Sequence, residues 1–428
     1  MIAPASPLNH RSLYRLPWSP TDNIISWLEP TKNCNIHCHG CYSANVTGSH
    51  KSLETIEHEL DVFERFRQTD AVSIAGGEPL THPQIVDVVR RVASRGLKPV
   101  INTNGYAMNP ELLHDLKQAG ARGFTFHIDS LQKRPGHTGQ SETELNDLRL
   151  HYAEMVAREG DLSCAFNATV YGANLKEVPA IVEWGREHID IAHVLVFIAF
   201  RALTGDLRFD YYVGEKRIDE GKLVYSKPTA ERTDITARDI VAAIRTSDPD
   251  FAPCAYLNGS EALDSFKWLM TLRVGDKRGI VGHAGPKFIE LAQVSNHLRH
   301  GRYLGYVPPR VHARARWMMA LAPFDAGLRA AMKKDLAAVV RDPMRLARPL
   351  HLQSVMIIQP VDLLADGRQS MCDACPDMTV FEDQLVNSCR LDEKLQFGQF
   401  MRTVPTTVKH PAEQPAEVPA HMAEEIST

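Results

Sequence analysis

Residues 34–41 read CNIHCHGC, three cysteines (Cys34, Cys38, Cys41) and two histidines in eight positions. The place of this cluster in the chain decides the fold. It stands a few residues after a β-rich run, IISWLEP (24–30), and further such runs follow at AVSIAGG (71–77), KPVINTN (98–104), GFTFHID (123–129), SCAFNATV (163–170) and AHVLVFIAF (192–200). Each of the first five is followed by a helical pattern. LETIEHELDVFERF puts Leu53, Ile56, Leu60 and Phe63 on one face, and PQIVDVVRRVASRG does so with Ile85, Val88, Val89 and Val92, with Gly96 as a stop. PELLHDLKQAG has Pro110 near its start and Gly120 past its end. Six strand–helix units in succession imply a parallel sheet with outer helices, open or curled into a barrel.

In such folds the active site lies at the carboxyl ends of the strands. The cysteine loop falls at the first of these ends. The second strand ends in Gly76-Gly77-Glu78-Pro79, the third in Thr103-Asn104-Gly105 and the fourth in Asp129-Ser130. One rim therefore collects the glycines and polar residues of several strands.

Composition bounds the function. The chain has 428 residues, 44% of them hydrophobic and 23% charged, as in a soluble globular protein large enough for two domains. A net charge of −4 gives no global case for nucleic acid. No apolar run is long enough to span a membrane, and the first twenty residues lack the apolar segment of a signal peptide. The eight cysteines, unevenly spaced, do not form a secreted disulfide framework, so the cytoplasm is the expected location and the clustered thiols are expected to bind metal or react.

Spacings of three and two residues keep three thiolates on one tight loop, which suits a cubane cluster. A [4Fe–4S] cluster takes four cysteines, so three leave one iron open to an external ligand. A zinc site with His37 or His39 as fourth ligand, or an unligated loop, are the alternatives.

With Cys34-x3-Cys38-x2-Cys41 after the first strand and Gly76-Gly77-Glu78-Pro79 after the second, residues 20 to 215 resemble the radical SAM superfamily. The resemblance implies an α/β fold built on a partial (β/α)6 barrel. It implies a [4Fe–4S] cluster on Cys34, Cys38 and Cys41 that binds S-adenosylmethionine at its open iron. An electron from a donor such as flavodoxin or ferredoxin then gives methionine and a 5′-deoxyadenosyl radical that takes a substrate hydrogen. The resemblance implies that the backbone at Gly76 and Gly77 approaches the methionyl group as a ligand and that Glu78 offers a carboxylate to its ammonium group, while Asn104 and Asp129 stand where the family's ribose and methionine contacts cluster. The family's aromatic or histidine before the third cysteine is Gly40 here, so the backbone at Gly40 or the ring of Tyr42 takes the adenine contact.

Past residue 216 the alternation stops. Cys372, Cys375 and Cys389 form C-x2-C-x13-C, with Cys254 as a candidate fourth ligand. The spacing suits a second iron–sulfur cluster of the auxiliary kind that radical SAM enzymes carry, or a zinc knuckle; it is not the SPASM pattern. Cys164, in an apolar strand, reads as a buried small residue. Residues 299–351 carry eleven Lys or Arg against three Asp. Leu328, Ala331, Met332, Leu336, Val339 and Val340 read as one helical face there, with Arg329, Lys333, Lys334 and Arg341 on others. A basic amphipathic helix suits an anionic membrane surface, and a solvated helix packed on the barrel is the bland alternative.

The expected organisation is an N-terminal extension (1–20), a barrel (21–215), an α-rich extension with a second metal site (216–405) and a disordered Pro/Ala/Glu-rich tail (406–428). The expected function is a radical SAM enzyme acting on a lipid or hydrophobic metabolite, with peripheral contact at the inner membrane surface. A peptide maturase, or a non-catalytic metal-binding regulator that kept the fold, are the competing expectations.

Overall fold

The computed structural model describes residues 8–202, 209–226, 229, 231–364 and 366–406. Six parallel strands stand in chain order: β1 (Ile25–Thr31), β2 (Ala71–Gly76), β3 (Lys98–Thr103), β4 (Gly123–His127), β5 (Ser163–Val170) and β6 (Val194–Ala199). Between them run α1 (Leu53–Phe66), α2 (Ile85–Ser94), α3 (Pro110–Gln118), α4 (Asn146–Glu159) and, before β6, α5 (Val178–Glu187).

Local chemistry sets the boundaries. The Ser52 hydroxyl accepts from Thr55 N–H at the start of α1, and Asn109 caps α3 before Pro110. Gly96, at φ +72°, ends the turn after α2. The faces expected from spacing are those buried: Ile56, Leu60 and Phe63 on α1, and Ile85, Val88, Val89 and Val92 on α2. They pack on one side of the sheet with Ile74, Ile101, Phe124, Phe166, Leu195 and Phe197.

The region after 216 is not the α-rich appendage its sequence suggested. It continues the same sheet. Strand β9 (His351–Ile358) pairs parallel with β6, β7 (Trp268–Asp276) pairs antiparallel with β9, and β8 (Gly279–His283) makes a hairpin with β7. Ala255–Leu257 then pairs with β7, and Tyr14–Arg15 pairs with Ala255–Leu257, so the N-terminal extension belongs to the sheet as well. Antiparallel partners need no crossover helix, so these strands leave no strand–helix alternation to read. Just ahead of the tail expected from 406, Arg402–Pro405 forms a strand paired with Phe209–Val213. Residues 407–428 lie outside the described residues.

A second core contains Trp18, Trp268, Leu272, Val274, Leu350 and Leu352, with helices α6 (Ala237–Ile244) on the first core and α7 (Pro286–His300) and α8 (Ala326–Arg341) on the second. The basic segment forms a base under the barrel. Gly305 and Tyr306 donate their N–H groups to Asp70 Oδ2 at 3.0 and 3.2 Å, and the Tyr306 hydroxyl donates to Arg122 O at 2.7 Å. Those partners sit at the amino ends of β2 and β4, away from the cysteine loop. Helix α8 buries Leu328, Ala331 and Asp335, while Leu336 and Val340 point to solvent. Its expected single apolar face is therefore split, because the buried carboxylate of Asp335 is satisfied by Arg316 and Arg345 at 3.2 Å each. Among the described residues no helix is long and apolar enough to cross a membrane.

His193 lies within this packing, its ring 5.0 Å from that of His312, and burial with the neighbouring His312 and His351 pushes its pKa down to about 3. A neutral form favoured on folding stabilises the protein above the unfolded value of about 6.5, and that stability is lost as pH falls below it, by about 1.4 kcal/mol per pH unit for one such histidine. The melting temperature is expected to drop between pH 6.5 and 5. His193→Asn, whose Oδ1 takes the place of Nδ1 as acceptor for Cys164 N–H, is expected to remove that share of the drop. Equal slopes for both proteins over this window refute the assignment.

Candidate metal centre and ligand cavity

The cysteine loop hangs from a braced root. Gly77 N–H donates to Thr31 O at 2.8 Å and Glu78 N–H to Asn33 O at 2.7 Å, tying the exit of β2 to that of β1. Gly77 is demanded by this approach: a Cβ there would stand 2.3 Å from Asn33 O. Gly76, at φ +103°, likewise leaves no room, its Cβ position lying 2.6 Å from Thr31 O. The expected close approach of these glycines to a ligand is thus an approach to the loop's own backbone.

Glu78 helps to hold the loop. Its carboxylate is 1% exposed and accepts from Thr103 Oγ1 at 2.6 Å, Asn104 N–H at 2.6 Å and Leu80 N–H at 3.0 Å. Burial pushes its pKa up to about 7 against the pull of those three donors. The side chain fastens the exit of β3 to that of β2, and three donors leave part of a carboxylate's acceptor capacity unused. Asn104 passes the connection on, its amide donating to Asn35 Oδ1 at 2.8 Å and lying 3.9 Å from Cys34 Sγ. That places Asn104 on the cysteine loop itself.

The three thiols share this loop. The Cys38 thiol is pushed up by burial and then by the charges of Asp129, Cys41 and Cys34, so the three thiols and Asp129 are close neighbours. Burial also raises Cys34, while the backbone N–H groups of Ile36 and Asn35 turned toward it favour its thiolate. Such N–H groups suit an anionic thiolate cluster. Three thiols on one loop with backbone N–H groups turned toward Cys34 are a donor set that fits a four-iron cubane with one iron left open.

The rings around the loop differ from expectation. Gly40 faces Phe200, whose ring would lie 2.3 Å from a Cβ at that position, and His39 stacks on Phe200 at 5.5 Å. The Tyr171 hydroxyl donates to His39 O at 2.7 Å. Tyr42 is not at the rim beside Gly40. Its hydroxyl is raised well above the ordinary value by burial and then by the charges of Glu29, Cys41 and Asp377, and it hydrogen-bonds with Trp27. Asp129 accepts from Leu131 N–H at 3.0 Å and pairs with His127 Nε2 at 2.8 Å. His127, two residues before Asp129 on the same strand face, was legible from strand alternation and was missed, as were Phe200 and Tyr171.

The second face of the sheet, opposite the outer helices, lines the barrel lumen. Register places Ser73, Asn102, Thr125, His127, Asn167 and Thr169 on it from β2 to β5, an array of hydrogen-bonding side chains. Across β6, β9 and β7 the same face carries Val196, Ile198, Met356, Ile358 and Met270. Val196 is buried; the other four are partly covered, Met270, Met356 and Ile358 by packing against the second core. The buried Asn167 Oδ1 has no hydrogen-bond partner among the described residues.

Cys372, Cys375 and Cys389 also come together: the first two thiols hydrogen-bond to one another and Cys389 adjoins Cys375. The turn between them docks on the barrel, where Arg67 donates to Cys375 O at 2.8 Å and Pro376 O at 2.9 Å. Cys254 does not join. Its thiol donates to Met270 O at 3.4 Å inside the second core, its pKa pushed up to about 12 by burial. Asp377 is raised to about 7 by burial against the pull of the Arg67 charge, and its own charge acts on both Cys375 and Tyr42.

Residues 28–184 match the family model of the Radical SAM superfamily. The chain is similar to an AdoMet-dependent heme synthase of Methanosarcina barkeri, 27% identical over 183 residues, 41% of this chain and 50% of that protein. It is similar to a 7,8-dihydro-6-hydroxymethylpterin dimethyltransferase of Methanocaldococcus jannaschii, 26% identical over 246 residues, 55% of this chain and 46% of that protein. A PqqA peptide cyclase of Streptomyces rochei is 26% identical over 175 residues, 39% of this chain and 47% of that protein. The chain thus spans about half the length of the curated relatives it matches.

The braced root yields a test. Gly77→Ala, with its Cβ driven toward Asn33 O, is expected to displace the cysteine loop and cut bound iron and sulfide after anaerobic reconstitution to under half. Glu78→Gln is expected to lower stability by about 1–3 kcal/mol, because one of the three donors loses its acceptor. Full iron loading in Gly77→Ala, or an unchanged denaturation midpoint in Glu78→Gln, removes the brace from the account.

Proposed function

The chain carries a radical SAM domain at residues 28–184, and we propose that the protein is an enzyme that reductively cleaves S-adenosylmethionine and takes a hydrogen atom from a hydrophobic small molecule held in the barrel lumen. Cys34, Cys38 and Cys41 would hold a [4Fe–4S] cluster. When bound and reduced by a flavodoxin- or ferredoxin-class donor, that cluster supplies the electron for the cleavage. The observation that carries the substrate class is the two-sided lumen. Polar side chains from β2 to β5 suit the amino-acid and ribose groups of the cosubstrate, and Asn167 Oδ1 is an acceptor awaiting a donor. The apolar side chains of β6, β9 and β7 suit a hydrocarbon surface. The lipid preference rests on this wall, since the basic segment lies under the amino ends of the strands.

A second reading, peptide maturation, is favoured by the similarity to a PqqA peptide cyclase and by the C-terminal thiol group. That group is proposed to hold a second iron–sulfur cluster through Cys372, Cys375 and Cys389, with zinc as the alternative occupant.

Anaerobically reconstituted and reduced protein is expected to form 5′-deoxyadenosine, and Cys34, Cys38 and Cys41 changed together to Ala are expected to abolish it. Comparing extracts of cells carrying wild type and triple variant by mass spectrometry, the difference is expected in the apolar fraction; a difference confined to peptides selects the maturase reading. A triple variant that still cleaves S-adenosylmethionine at the wild-type rate refutes the site.

Changing Cys372, Cys375 and Cys389 to Ala is expected to lower iron by about half, as for the loss of one of two similar thiolate-bound clusters. Stoichiometric zinc in the wild type, with iron for one cluster only, assigns the group to zinc.

A further inference from the structure

The base of the barrel carries an exposed apolar surface that the catalytic reading does not use. Trp317 and Val340 are each 82% exposed, and Phe324, Leu336, Met344 and Leu346 are exposed with them. All six fall between residues 317 and 346, on the segment around α8 whose parts pack on one another: α8 touches the turns at 319–321 and 343–347, and Arg316 donates to the carbonyls of Leu346 and Arg348. A patch of this kind on a water-soluble surface calls for a partner.

Charge identifies the partner. The acids of the segment are consumed. Asp325 accepts from Gly285, Leu328 and Phe288 N–H at 2.8, 2.8 and 3.0 Å; Asp335 is buried between Arg316 and Arg345; Asp342 pairs with Arg348 at 3.3 Å. Arg316, Arg345 and Arg348 are taken up by these acids and Lys334 by Asp250 at 2.8 Å, while Arg314, Lys333 and Arg341 are exposed. This arrangement occurs in a chain whose net charge is −4. A second copy of the chain is a poor occupant, because a two-fold interface through this face would set the cationic rows against themselves.

We propose that this face, from Trp317 to Leu346, docks the protein on an anionic lipid bilayer, the apolar side chains entering the interface while Arg314, Lys333 and Arg341 meet the head groups. The mode is that of an interfacial amphipathic helix. It differs from membrane delivery of a substrate. The patch belongs to the end of the barrel where the strands begin, and the cysteine loop to the end where they finish, so docking fixes the enzyme's location and leaves the lumen mouth facing water.

The test is co-sedimentation of the full chain with phosphatidylcholine vesicles, with and without phosphatidylglycerol, at low and high salt. Binding is expected only with phosphatidylglycerol and is expected to fade at high salt. Each exposed cation contributes about a fivefold share, so Lys333→Gln with Arg341→Gln is expected to weaken partitioning about 25-fold. Trp317→Ser with Val340→Ser is expected to lose at least tenfold, and both variants are expected to keep the wild-type melting temperature, since the four side chains are exposed. Equal partitioning on both vesicle types, or wild-type partitioning by Trp317→Ser with Val340→Ser, overturns the proposal. So does a wild-type dimer in solution that this last variant dissociates, which would assign the face to a second copy.

Discussion

The site depends on the absence of space between Gly77 and Asn33. With no side chain at Gly77, the exit of β2 lies directly on the exit of β1, and two backbone hydrogen bonds hold it there. Glu78 then extends the join sideways. Its buried carboxylate takes a hydroxyl and a backbone N–H from the exit of β3, and hydrogen bonds to a charged acceptor contribute about 1.5–3 kcal/mol each. Asn104, held by Glu78, reaches back to Asn35 and Cys34. The loop bearing the cysteines is thus fixed at both its root and its flank by residues of the next two strands. A loop that must hold three thiolates in one arrangement needs such support, since its own few residues cannot enforce it.

This explains which parts of the site were legible in the sequence. Strand parity and helix faces obey short-range rules, and the six strands and the buried faces of α1 and α2 fall where periodicity puts them. The three thiols of the first loop are neighbours in sequence and must be neighbours in space. Glu78 was legible as a carboxylate at the rim, but its bracing role was not, because the sequence does not show that Thr103 and Asn104 donate to it. Cys254, a thiol remote in sequence, does not join the group: it donates to Met270 O inside the second core, against which Cys372 also packs. The strands β7 to β9 were missed because antiparallel neighbours erase the alternation that announced the first six. On α8 the periodicity was right and the burial wrong, since an ion-paired Asp335 takes a place that hydrophobicity would have given to Leu336.

The C-terminal cysteine group, far along the chain from the first, comes to β1 for a reason rooted in sheet edges. β1 is the last strand of its side of the sheet, and an unpaired edge must be covered. The hairpin of Met378–Phe381 and Gln384–Asn387 packs against β1 and α1 and covers it, drawing the turn of Cys372 and Cys375 along. Arg67 and Asn23 complete the seal, donating to the carbonyls of Cys375, Pro376 and Ala374. The charges of both Cys41 and Asp377 act on the Tyr42 hydroxyl. The C-terminal thiol group is therefore part of the closure of the barrel at β1.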